Sequence, residues 1–303
     1  MKQITKLFTP IILSFLFSFC SNPKLKKDIN SNKNDIKRFE KNPKFNSYWY
    51  SGKAEITSYK LSQIRYGEIH EGTAVNIFVT EDFLPIKQVK ADDFNKKNVP
   101  ILKLNSTKNF TTGIYPYSLL TSTFSPININ KNAIKISFSA QEWCGNTFVQ
   151  LNNREEYKIQ FYSYFEGNTD RKTNLKKDIL ENELWNQIRI SPKDLPVGEL
   201  QIIPSFEFLS LNHKEFKAFN AIASLEEKGN FLIYTIKYPK LERTLSIKAT
   251  KDFPNTIESW EETFSSRGKT LTTKAEKIKT IQSAYWSKNG FADIEERKEL
   301  GLN

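Results

Sequence analysis

The chain has 303 residues, 38% of them hydrophobic, 26% charged and 13% aromatic, with a formal net charge of +11. Such a composition suits a globular chain with a sizeable core. It excludes a bundle of membrane-spanning helices, because no run after residue 19 approaches the roughly 20 apolar residues a spanning helix needs. Two cysteines, Cys20 and Cys144, are too few for a disulfide framework, so the fold must rest on its core. The positive charge loses its nucleic-acid character once it is located. Lys2 and Lys6 hold two charges, residues 20–44 hold eight basic and three acidic side chains, and +4 remains on residues 45–303.

At the N-terminus, Lys2 and Lys6 precede an almost wholly apolar run from Leu7 to Phe19. A short positive segment followed by a short apolar core predicts a secretory signal peptide over residues 1–19. The cysteine directly after that run, Cys20, resembles the lipobox of bacterial lipoproteins, although Phe19 stands where that pattern has a small residue. The resemblance implies cleavage before Cys20 and a lipid on its sulfur. Residues 20–46, dominated by Asn, Lys, Ser and Asp, lack the apolar surface to order themselves. They predict a basic tether beside a membrane, where each lysine gains about 1 kcal/mol from anionic head groups. Ser21, Asn22, Pro23 and Lys24 follow the cysteine, with no acidic residue before Asp28. Bacterial lipoproteins with that context are expected in the outer membrane, facing the periplasm.

Residues 47–303 read as a single extended β-rich domain. "YWYSGKAEITSYKLSQIRYGEIHEGTAVNIFVTEDF" holds two β-branched and aromatic runs separated by glycines, which predicts an antiparallel pair. "NAIKISFSAQEW" alternates, with Ile134, Ile136 and Phe138 on one face, and "EYKIQFYSYFEGN" repeats the pattern through Tyr157, Ile159, Phe161 and Phe165. Residues 230–264 predict a three-stranded meander turning at 239–242 and 252–255, where Pro, Asp and Asn supply turn chemistry. A last strand pair is expected over 269–281. Thr173 can cap one inserted helix, in which Leu180, Leu184 and Ile188 form a stripe before Pro192 stops it. The tail "FADIEERKELG" predicts a short helix ending at Gly301. The expected architecture is mainly β: a large antiparallel sheet curled into a β-roll or half-barrel, with an inserted helix and a short C-terminal one.

Candidate chemistry is sparse. Trp143-Cys144-Gly145 has the start of a thiol redox motif, but Thr147 stands where the resolving cysteine belongs. A thiol hydrolase would need His70 or His213 as its base, and nothing in the spacing pairs either with Cys144. The simpler expectation is a buried cysteine serving as a small hydrophobe at a strand end. Two histidines and one spare cysteine do not make a structural zinc site, and neither a phosphate-binding glycine loop nor a glycine-flanked serine elbow is present. Glu142, Glu155, Glu156 and Glu166 are carboxylates near strand ends, where solvated rims are the rule. No catalytic residue, metal ligand or cofactor is assigned. Asn105 and Asn109 match the glycan-acceptor pattern, which carries little weight beside a bacterial-type leader.

The runs quoted above, with "VPILKLN", "TGIYPYS", "SAQEWCGNTFVQLN", "YSYFEGNTD" and "TIQSAYWSKNGFADIEERKELGL", resemble a family of uncharacterised envelope lipoproteins from Gram-negative bacteria. Some members are labelled septum formation inhibitors of the Maf type. That label implies a nucleotide pyrophosphatase with a serine-arginine signature on an α/β fold, and this chain has neither. The resemblance thus implies an address without a mechanism. The expectation is a non-enzymatic protein, anchored to the membrane through a lipidated Cys20 and a basic tether, that binds a hydrophobic, glycan or protein partner and no nucleic acid. The alternative is an envelope hydrolase using Cys144 or a carboxylate pair.

Overall fold

The computed structural model describes residues 43–127 and 132–302. The expected signal peptide, the lipidation at Cys20 and most of the tether lie outside the described residues. The chain enters through helix α1 (Pro43–Trp49), whose Phe45 and Trp49 are buried. The last residues assigned to the tether therefore belong to the folded part. Phe45 and Trp49 sit one helical turn apart and anchor that turn against Phe253 and Phe78.

Strands β1 (Ala54–Arg65), β2 (Glu68–Leu84), β3 (Val89–Lys90), β4 (Val99–Thr112) and β5 (Tyr115–Pro126) come first. β6 (Lys135–Glu142), β7 (Gly145–Asn153), β8 (Tyr157–Ser163) and β9 (Arg171–Leu175) continue the run. After β10 (Ile179–Leu180) and helix α2 (Glu181–Ile190) come β11 (Gly198–Ile203), helix α3 (Phe206–Leu211) and β12 (Phe219–Lys228). β13 (Phe231–Tyr238), β14 (Arg243–Thr250), β15 (Ile257–Ser266), β16 (Lys269–Ser283) and helix α4 (Ile294–Glu299) complete the order. Among the described residues the strands form one 16-stranded sheet that curls without closing into a barrel. The sheet runs from β10 through β16, passes to β1, and continues to β9. Neighbours pair antiparallel except β10 with β11. The free edges, β9 and β10, are separated in sequence only by residues 176–178 and are both short, which limits edge-to-edge association.

The mainly β expectation holds, as do the alternation in β6 and β8, except that Phe165 lies beyond β8 and is exposed, and the meander of β13, β14 and β15 with its two turns. Three details differ. Thr173, the expected cap, and Asn174 and Leu175, expected in the inserted helix, belong to β9 and pair with β8, and α2 begins only at Glu181, where the Glu183 carboxylate turns back to accept the Leu180 N–H at 3.1 Å. The expected last strand pair is one long strand, β16, because both of its flanks find partners, β15 and β1. Helix α3 had no sequence prediction; the Ser205 hydroxyl caps it by accepting the Phe208 N–H at 3.2 Å. The C-terminal helix ends as expected. Gly301 takes φ +67°, its N–H donates to Lys298 O, and the Leu302 N–H reaches Arg297 O, a Schellman cap that turns Leu300 and Leu302 onto Ile56 and Val79.

One apolar cluster fills the concave side. It joins strand residues such as Leu61, Phe138, Leu151 and Ile236 to Leu184 and Ile188 of α2 and to Phe206 and Leu209 of α3. Two buried arginines cross it. Arg189 donates to both Glu55 oxygens at 2.6 Å, and Tyr48 Oη donates to the same carboxylate. Arg243 donates to both Glu181 oxygens at 2.5 and 2.7 Å and to Glu262 at 2.6 Å, while Tyr238 Oη donates to Glu181. Charges this deep are tolerated because each is paired and hydrogen-bonded.

Candidate functional site

Seven connections gather at one end of the sheet, among them the turns of the β1–β2, β4–β5, β6–β7 and β15–β16 hairpins. Tyr66 and Gly67 (φ +54° and +80°) and Arg267 and Gly268 (φ +49° and +75°) form two neighbouring hairpin turns with left-handed central residues. That geometry matches strand twist, and glycine takes the second position without strain. It sets Tyr66 and Arg267 side by side, the guanidinium carbon 5.0 Å from the ring centre.

Beneath these turns lies a cavity of about 380 Å³, lined by Arg65, Tyr66, Tyr117, Ala140, Glu142, Gly145, Thr147, Phe165, Asn168, Ser210, Leu211 and His213, among others. Side chains alternate across a strand, so Tyr59, Leu61, Gln63 and Arg65 share the inward face of β1 and the last of them reaches this cavity. The Arg65 Nη1 donates to Leu211 O at 2.7 Å, and its other nitrogens make long contacts of 3.3 to 3.4 Å with the hydroxyls of Tyr66 and Tyr117. Those two hydroxyls bond each other at 2.7 Å. No carboxylate among the described residues lies within ion-pair distance of Arg65. Ser210 is 6% exposed and its hydroxyl has no hydrogen-bond partner. His213 stands at the edge, its pKa pushed down by burial of part of the ring and by the Arg65 charge.

The β6–β7 hairpin shows where the expectation for Cys144 fails. Glu142 pairs with Gly145, so Trp143 and Cys144 are the two residues of the tip. Cys144 is exposed, not buried, and Trp143 is 69% exposed. The thiol pKa is nevertheless raised, because the Glu142 side chain hydrogen-bonds it and repels the thiolate. The same carboxylate accepts the Cys144 N–H at 2.6 Å. Neither histidine is bonded to it: His70 bonds Arg65 O and stacks on Phe110, and His213 lines the cavity. Glu155 and Glu156 are exposed in the β7–β8 turn at the opposite end, and Glu166 is exposed in the loop after β8. Of the candidate carboxylates only Glu142 reaches the cavity.

The residues that sequence reasoning missed are Arg65, Tyr66, Tyr117 and Ser210. Arg65 carried no clear signal, because its face of β1 holds Glu55, Thr57 and Gln63 beside Tyr59 and Leu61. Ser210 carried none. A second chamber, of about 50 Å³, lies deeper, where Lys108, Glu181, Glu207, Arg243 and Glu262 surround Thr123, whose buried hydroxyl is also unpartnered. Its charges are bonded to one another, Lys108 to Glu207 at 2.6 Å. Among the described residues no group of His, Cys, Asp and Glu is arranged to hold a metal ion, and no helix is long and apolar enough to cross a membrane.

No family model matches the sequence, and no curated protein matches it. A solved structure, the beta-barrel-like protein of domain of unknown function DUF1849 from Brucella abortus, is similar over 76% of this chain and 98% of its own. Its TM-score is 0.47 and the two sequences are 8% identical.

Proposed function

We propose that this chain is a lipid-anchored envelope protein of a Gram-negative bacterium, held at the outer membrane through Cys20, whose β domain binds a hydrophobic ligand in its mouth cavity. The observation that carries the binding half is the cavity itself. Its 380 Å³ falls within the range of small-molecule sites, and aromatic rings and a few convergent polar groups line it. The anchoring half rests on Cys20 at the end of a short apolar run. A hydrolase built on Cys144 has less support, because the carboxylate beside the thiol suppresses the thiolate such chemistry needs.

The binding half is tested with a neutral apolar fluorophore, N-phenyl-1-naphthylamine, and the full-length Cys20→Ser chain purified without detergent. Gly167 lines the cavity, and a Cβ added there meets open space, so Gly167→Trp is chosen to place bulk at the mouth. Fluorescence enhancement should saturate with the Cys20→Ser chain and disappear when Gly167→Trp is added. Undiminished binding would remove the cavity from the proposal. The anchoring half is tested by growing cells with a clickable fatty acid, which should label the wild type and not Cys20→Ser.

A further inference from the structure

The mouth cavity treats charge unlike the rest of the interior. Arg189 and Arg243, both buried, each hold a carboxylate through two short hydrogen bonds. Arg65 meets only a carbonyl and two phenol oxygens, the latter at 3.3 to 3.4 Å. Phenol and carbonyl oxygens solvate a guanidinium but do not neutralise it, and its planar fork is suited to two parallel bonds with a carboxylate or phosphate. An independent observation points to the same place. Ser210 is among the residues lining the cavity, it is almost completely buried, and its hydroxyl has no partner. A buried hydroxyl of this kind costs stability unless something bonds it. The cavity's own carboxylate, Glu142, is engaged at the hairpin tip with the Cys144 N–H. Tyr117 and Phe165 supply apolar wall, and Phe165 continues outward into exposed Tyr164, with 5.7 Å between ring centres.

We propose that the mouth cavity takes an anionic amphiphile, its phosphate or carboxylate held by the Arg65 guanidinium and the Ser210 hydroxyl and its apolar chain leaving past Phe165 and Tyr164. This rests on the reading of the cavity as a binding site and adds the chemical class of its ligand. The aromatic exit distinguishes an amphiphile from a free anion, which would need no such wall.

Calorimetric titration of the full-length Cys20→Ser chain with three probes tests it: octanoyl lysophosphatidate, neutral monooctanoylglycerol with the same chain, and inorganic phosphate. The lysophosphatidate should bind at least about tenfold tighter than the glycerol ester, as a charge-assisted pair implies. Arg65→Met should bring that ratio below about threefold, and Ser210→Ala should lower lysophosphatidate affinity severalfold, each more than it lowers affinity for the glycerol ester. Equal affinity for the two octanoyl probes in the parent chain would overturn the anionic assignment while leaving a hydrophobic cavity standing. Phosphate binding as tightly as the lysophosphatidate would overturn the amphiphile and point to a free anion. Failure of both octanoyl probes, together with failure of the neutral fluorophore, would remove the cavity reading as well.

Discussion

Strand β1 carries an inward charge at each end, and the two ends are completed differently. At its start Glu55 is buried and held by both terminal nitrogens of Arg189, beneath the rings of Trp49 and Phe78. At its finish Arg65 faces the mouth with neutral partners only. The desolvation cost of a buried ion is offset at the first site by a dedicated counterion from α2. At the second it is offset only in part, by nearby oxygens and access to the cavity. A fold that satisfies three interior acids and two interior arginines, yet leaves one cation open at a pocket, separates residues that hold the protein together from residues available to a partner.

The largest effect that could break this comparison is on stability. Arg243→Ala leaves Glu181 and Glu262 without their cation and should cost about 3–5 kcal/mol in urea unfolding. Arg65→Ala removes one good hydrogen bond and three long ones, and should cost about 1 kcal/mol. Comparable losses from the two variants would mean that Arg65 is as structural as Arg243.

Acid should sharpen the contrast next. Burial pushes the Glu181 carboxyl up, but the charge and hydrogen bonds of Arg243 and the Tyr238 hydroxyl outweigh it and hold the pKa below its usual 4.5. A carboxylate whose folded pKa is depressed contributes stability that is present above its unfolded pKa and is lost as pH falls through the folded one. Melting temperature should therefore fall below about pH 4.5 more steeply in the wild type than in Glu181→Gln. Arg65→Met should leave the slope of the wild type, since no carboxylate partner titrates with it.

How much of this was legible beforehand follows from the range of the interactions. Alternation in β6 and β8 and the turns of the meander are local and were readable, as was the glycine after α4. Thr173 followed by an apolar stripe also looked like a helix start, but pairing of residues 171–175 with β8 overrode it. Trp143 and Cys144 were assigned to a strand end on the usual burial of cysteine; the register of β6 against β7 makes them a two-residue turn instead. The arginine–glutamate pairs join residues 134 and 62 positions apart, and no local pattern announces them. The openness of Arg65 is the converse case, since the lack of a carboxylate partner is visible only when every neighbour has been placed.

A smaller test uses the two unpartnered hydroxyls. Thr123→Val in the interior chamber and Ser210→Ala in the mouth each remove a buried group that bonds nothing, and stability should change by no more than about 1 kcal/mol in either direction. A larger loss for Ser210→Ala would give that hydroxyl a structural duty. The smallest effect belongs to the rim. Because Cys144 is exposed, iodoacetamide should reach it freely in the folded chain, and the folded reaction should be slower than the denatured one only through the thiolate fraction that Glu142 suppresses. Glu142→Gln should speed the folded reaction severalfold at neutral pH, since it removes the group that raises the thiol pKa. No acceleration would assign the raised pKa to something other than the carboxylate.

The pairing of β16 with β1 sets the order in which the sheet can be finished. Almost every other ladder joins strands that are neighbours in sequence and can form as soon as both are present. The β1–β16 ladder joins Thr57 to Thr280, 223 residues later. Contacts between distant residues bear the greatest loop-closure entropy. During synthesis one edge of β1 stays unpaired until β16 has emerged, and it is a long edge of 12 residues. An open strand edge of that length is a template for misassociation. A nascent chain of this protein therefore depends, until its final hairpin arrives, on whatever shields that edge from other chains.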